Sequence, residues 1–247
     1  MIKFFRKIRY DLMKQNKTGK YFKYAIGEIV LVVIGILLAL QINNWNENRT
    51  NNNKLKSYLT EIIKDLKTDT LSIRIDLNFA KRRMETTKSF LELKDYDALT
   101  IDSLEKSLET FYSKIPFSNS AFEKIESSGI TDFGEYESLI EKYKVYYNIV
   151  IPDIMSFEGT HNRAVDIEDN YWRYNQNVYE FSYDDDLHAY QSKEVSKKNL
   201  ITLLQSPTAR NILKIDYRRN KRTFERLNIL NDLIIKLIKD TEAKLND

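Results

Sequence analysis

Nineteen consecutive residues, Tyr24 to Ile42 (YAIGEIVLVVIGILLALQI), carry a single charge, Glu28 near the early end. A helix of this length reaches roughly 28 Å at about 1.5 Å per residue, close to the hydrocarbon thickness of a bilayer. Nothing else in the chain matches it. The stretch LNILNDLIIKLI at 227–238 comes nearest, but it is too short and contains Asn231, Asp232 and Lys236. The run therefore predicts one transmembrane helix over 24–42 and makes topology the property most legible here.

Charge orients that helix. Lys3, Arg6, Lys7, Arg9, Lys14, Lys17, Lys20 and Lys23 precede it against one acid, Asp11, whereas residues 43–53 hold one base, Arg49, beside Glu47. By the positive-inside bias the N-terminus belongs in the cytoplasm and the bulk of the chain outside it. The long basic segment and the absence of a small-x-small site after Ile42 favour an uncleaved signal-anchor over a cleaved signal peptide. Tyr21, Phe22 and Tyr24 on one side and Trp45 on the other suit the two interfaces. Residues 1–23 read as a cytoplasmic, membrane-surface segment. Ile2, Phe5, Ile8 and Leu12 recur at helical spacing there, with a disordered basic tail as the alternative.

The remainder is water-loving, with a mean hydropathy of −0.51 for the whole chain. Only six Gly and three Pro leave few turn signals, which favours long helices over strands. After a polar linker or helix extension at 43–53, residues 54–247 read as one helical domain. Its first helix carries Leu55, Leu59, Ile62, Leu66, Thr70, Ile73, Leu77, Ala80, Met84, Thr87 and Leu91 in three- and four-residue steps, with Lys, Glu, Asp and Arg on the other side. A short helix is expected at 102–113, with Leu104, Leu108, Phe111 and Tyr112 inward, and another from Ser118 to Ser128, stopping at Gly129. A long segment at about 135–175 should kink or break at Pro152. Residues 176–206 are the least regular, and a last helix at about 208–245 carries Phe224, Leu227, Leu230, Ile234, Leu237, Thr241 and Leu245. The expected fold class is all-α: a single N-terminal transmembrane helix followed by an antiparallel extracytoplasmic bundle.

The segment YAIGEIVLVVIGILLALQINNWNE, preceded by the basic MIKFFRKIRYDLM, resembles a family of bacterial single-pass membrane proteins grouped as a domain of unknown function. SAFEKIESSGITDF at 120–133 and the closing leucine-rich helix agree with it. The resemblance implies membrane location and a helical domain, and brings no catalytic residues. It also implies a Gram-negative host, so that the chain sits in the cytoplasmic (inner) membrane with its C-terminal domain in the periplasm.

Candidate chemistry is sparse. Glu28 is a costly group near a bilayer, and either pairs with Lys23 or a partner helix, or reaches water from the interface. Gly27, Gly35 and Ala39 offer small residues for close helix contact. Zero Cys removes disulfides and thiolate chemistry, and the two His, His161 and His188, have no nucleophile-elbow serine. His161 falls on an apolar stripe, where a core role is expected. His188 follows Asp184, Asp185 and Asp186, with Glu180 nearby, and forms an oxygen-rich cation site or a solvated acidic loop; the glycine of a calcium loop is lacking. Tyr171, Trp172, Tyr174, Tyr179 and Tyr183 stand out within an aromatic-rich stretch, as a partner or ligand surface or as filling between helices. The basic run Arg218, Arg219, Lys221 and Arg222 attracts an anion or forms a solvated face.

These features point to an interaction or accessory protein with no cofactor and no metal, rather than an enzyme. Its expected partners are membrane lipid and a protein or a second copy of itself. Nucleic acid is not expected, at a net charge of +3. The alternative is a periplasmic ligand-sensing bundle that signals through a partner subunit, since 23 cytoplasmic residues cannot hold an output domain.

Overall fold

The computed structural model describes Arg6, Tyr10 and residues 18–183, 186–187 and 189–246. The expected surface helix at Ile2, Phe5, Ile8 and Leu12, and the acidic group Asp184, Asp185 and His188, lie outside the described residues. All regular structure among the described residues is helical, without a strand.

Helix α1 (Thr18–Glu92) is 75 residues long. The apolar segment 24–42 lies within it, and so does 43–53, which is helical throughout rather than a linker. The backbone divides into two compact units, residues 1–57 and 58–247. Along 26–42 in the first unit the large apolar side chains are exposed. Ile29, Leu31, Val32, Ile36 and Leu40 are each more than half exposed, a heavy cost in water and the normal condition in lipid.

The second unit assembles α2 (Ile101–Lys106), α3 (Ser120–Ser127), α4 (Glu137–Val145), α5 (Ile151–Asn170), α6 (Lys193–Gln205) and α7 (Pro207–Asn246) around residues 58–92 of α1. Cross-helix contacts give the order of packing. Along α1, Lys67 meets Glu242, Thr87 meets Asp216, and the Leu91 carbonyl meets Arg210. Numbers thus rise on α1 as they fall on α7. The same reversal relates α7 to α4 and α5, through Lys142 with Asp240 and His161 with Thr223.

The expected α1 stripe is buried at Leu59, Ile62, Leu66, Ile73, Leu77, Ala80 and Thr87. The buried face is wider than that stripe, however. Asp69, Asp76 and Arg83, placed by their charge on the solvent side, are buried too. Their seven-residue spacing puts them beside Thr70, Leu77 and Met84, where neighbours on two flanks enclose more than one stripe of the helix.

Several local readings change. Helix α2 stops at Lys106 instead of reaching 113, because the chain leaves helical geometry, and Tyr112 ends half exposed rather than inward. Residues 193–205, inside the stretch read as irregular, form α6. Ser192 Oγ accepts the Val195 N–H as its cap, and Leu200, Leu203 and Leu204 are buried at its inner face. Burying each of these leucines stabilises the unit by about 2 kcal/mol. The Pro152 prediction meets a definite device: the turn Tyr146–Val150 is a π-turn, with the Ile151 N–H reaching Tyr146 O. Widening the helix there accommodates the proline ring and its missing N–H. Gly129, at φ +71°, ends the segment after α3 in the left-handed conformation that favours glycine.

Candidate functional site

Tyr171–Asn175 is a second π-turn, at the end of α5, closed by Gln176 N–H to Tyr171 O. Beyond it Gln176 organises the loop with its side chain. Its Nε2 donates to the Trp172 and Tyr179 carbonyls, and its Oε1 accepts from the Val178 and Tyr179 amides. The five aromatics singled out in the sequence therefore divide. Trp172 and Tyr179 are core residues packed with Leu104, Leu108 and Leu200. Tyr171 is half-buried, with its ring edge-on to Trp172, and Tyr174 and Tyr183 are exposed.

A cleft of about 350 Å³ opens beside them, lined by Glu105, Leu108, Glu109, Thr110, Asp169, Trp172, Arg173, Phe181 and Tyr183. Phe181 packs edge-on against Tyr179 and stacks on Tyr183. Arg173 lies over the Tyr183 ring and 3.2 Å from Asp169, which also accepts the Thr110 hydroxyl. Tyr179 donates to Glu105 at 2.7 Å; burial and that carboxylate push its phenol up. Aromatic walls with a carboxylate rim suit a flat or cationic small molecule.

The membrane candidates share one exposed helix. Gly27 and Gly35 have open space where a Cβ would stand, Ala39 is exposed, and Glu28 is half-buried. Gly27 and Ala39 lie twelve residue steps apart, about 18 Å along the axis.

Sequence reasoning missed a buried ion network. Asp216 Oδ2 lies 2.9 Å from Arg83 Nε and accepts the Thr87 hydroxyl, while its Oδ1 accepts from Arg219 and Asn220. Arg219 also reaches Glu168 at 2.6 Å. Two guanidinium groups thus balance two carboxylates inside the unit. Arg219, expected in an anion-binding run or on a solvated face, is instead nine-tenths buried and paired. One signal was available in the spacing. Asp216, Asn220, Thr223 and Leu227 continue the apolar stripe of α7 backward at three- and four-residue steps.

Two further sites raise the proton affinity of buried carboxyl groups. Ser113 Oγ lies 2.7 Å from Asp76 and 3.0 Å from Glu158. A hydroxyl has one hydrogen, so both contacts are hydrogen bonds only when one carboxyl is itself protonated. Burial raises both carboxyl pKa values, in the same direction. Asp69 is fully buried, and burial pushes it up to about 7. Its Oδ2 and the hydroxyls of Tyr146 and Tyr147 have no hydrogen-bond partner.

His161 is a core histidine, as expected. Its Nε2 meets the Phe111 carbonyl and its Nδ1 meets Thr223 Oγ1, while burial lowers its pKa. A neutral ring donates from Nε2 and leaves Nδ1 to accept from the Thr223 hydroxyl, whose one hydrogen is also within reach of the Arg219 carbonyl at 3.1 Å. Among the described residues, no cluster of three or more His, Asp or Glu is placed to hold a metal ion.

Among the described residues, fold and site together define an all-helical protein with one N-terminal helix long and apolar enough to cross a membrane. The chain belongs to the family of unknown function DUF6090, whose model matches residues 28–203. No curated protein and no solved structure matches it.

Proposed function

We propose that this chain is a single-pass inner-membrane protein whose antiparallel helical bundle lies in the periplasm and works by interaction rather than catalysis. The opposed numbering of contacts between α7 and its neighbours supports the bundle. The exposed apolar run and the basic segment before it support the anchor and its orientation. The observation that carries the interaction reading is an apolar stripe on α1. Leu71, Ile75 and Phe79 recur every four residues within the soluble unit and stay 61%, 57% and 41% exposed. Such a stripe fits a partner helix or a second copy of the chain. The partner arrives from solvent or from the bilayer, and Gly27, Gly35, Ala39 and Glu28 supply the contact within lipid.

Crosslinked affinity purification from native membranes, with a C-terminal tag, tests this. A stoichiometric partner, or a crosslinked homo-oligomer, lost on L71S/I75S supports the reading. Recovery of uncrosslinked chain alone, under conditions that crosslink a control complex, overturns it. The aromatic cleft at Trp172 and Tyr183 favours a second reading, a periplasmic ligand sensor acting through a partner subunit. A saturable thermal shift with a small cation, abolished by Tyr183→Ala, would favour that reading over the first.

A further inference from the structure

A second cleft, of about 310 Å³, lies between α5 and α7. Its apolar walls are Phe157, Ala164 and Ile215, and Arg218, Arg219 and Arg222 line it from α7. Ile215, which forms part of that wall, is 59% exposed.

The charges at this cleft are unevenly matched. Arg219 is paired with Glu168 and Asp216, yet its Nε is buried without a hydrogen-bond partner. Arg218 and Arg222, one turn apart and exposed, form no ion pair with any described residue. On the same helix Lys221 has Glu225 within 4.0 Å and Arg226 is held by Asp153, while Lys214, like Arg218 and Arg222, forms no ion pair with a described residue. Thr160 and His161 line the cleft from α5. Unpaired guanidinium groups around a small apolar-walled cleft match an oxyanion, which takes parallel N–H donors, joined to a hydrocarbon group.

We infer that the α5–α7 cleft binds an amphiphilic oxyanion, a phosphate or carboxylate carried on an apolar chain, with Arg218 and Arg222 holding the anion and Phe157 and Ile215 covering the hydrocarbon. This assignment does not rest on the interaction reading, since its residues are distinct from the α1 stripe. The anion arrives either as a free small molecule or as a lipid headgroup.

The full chain is reconstituted in phosphatidylcholine nanodiscs and titrated with hexyl phosphate, hexanoate and inorganic phosphate. A parallel preparation contains phosphatidylglycerol. Saturable binding of a hexyl ligand, at least tenfold tighter than inorganic phosphate and weakened at least tenfold by R218Q/R222Q, assigns a free amphiphile. No binding of hexyl ligands, but thermal stabilisation by phosphatidylglycerol that R218Q/R222Q abolishes, assigns a lipid headgroup. I215S should weaken either response. Absence of both responses, or responses that R218Q/R222Q leaves unchanged or that the equally charge-altering K81Q/K88Q reduces as much, overturns the proposal. The substituted residues are exposed, so unchanged melting of the ligand-free variants keeps the comparison valid.

Discussion

Asp216→Asn tests whether the buried ion network holds the second unit, residues 58–247, together. The carboxylate is fully buried and meets two guanidinium groups, one hydroxyl and one amide within 2.9 Å. Asparagine keeps the shape but replaces one acceptor oxygen with a donor facing other donors. It also leaves Arg83 and Arg219 sharing one carboxylate, Glu168. Removing one partner of a buried pair costs about 3–5 kcal/mol, because an uncompensated charge stays behind. For a unit of this size each kcal/mol lowers Tm by about 2–4 °C, so a central cost of about 4 kcal/mol implies a fall of about 8–16 °C. Thermal unfolding of the full chain in neutral detergent, followed by circular dichroism, measures it. Glu242→Gln, which breaks the exposed contact to Lys67, is the control and should cost at most about 1 kcal/mol. R83Q/D216N restores charge balance and should recover part of the loss. A D216N melting point no lower than that of E242Q would refute the reasoning.

Asp69→Asn tests the buried carboxyl. Its folded-state pKa of about 7 lies above the ordinary 3.8, so the folded chain holds an extra proton between those values. Stability therefore falls as pH rises through that window, and Asp76 and Glu158 act in the same direction. D69N should melt above the parent at pH 8, with the gap closing toward pH 4; a gap independent of pH would contradict this. Gln176→Ala removes four hydrogen bonds that pin the aromatic loop and should cost about 2 kcal/mol, with faster proteolysis within 177–183 as the readout. Gly129→Ala meets no neighbouring atom, so its cost of about 1 kcal/mol comes from the left-handed backbone alone and is read by chemical denaturation.

Helix identity was readable wherever apolar residues recur at three- and four-residue steps. Thus α7, most of the α1 stripe and the interruption at Pro152 followed from pattern alone. Helix α6 was missed although Ser192, Leu200 and Leu203 carry a cap and an inner face, because Asp184 to Asp186 and the crowded tyrosines suggested irregularity for the whole stretch. At the aromatic candidate, composition drew attention to the right segment. It could not separate Trp172 and Tyr179, which face the core, from Tyr174 and Tyr183, which face solvent.

What the sequence determined by itself is what depends on local order: a nineteen-residue apolar helix, its basic flank and the helical class of the rest. A hydrophobic run and a helical repeat are properties of neighbours along the chain, and no distant residue is needed to read them. The tertiary structure decided the fate of charge. Asp69, Asp76, Arg83, Asp216 and Arg219 look solvated in one dimension, and only the packing of α1, α5 and α7 removes them from water. Once buried, each requires a counter-charge, a proton or a hydrogen-bond partner from elsewhere in the fold. Those partners lie up to 133 residues away, as Arg83 and Asp216 do, and no spacing along the chain records the pairing.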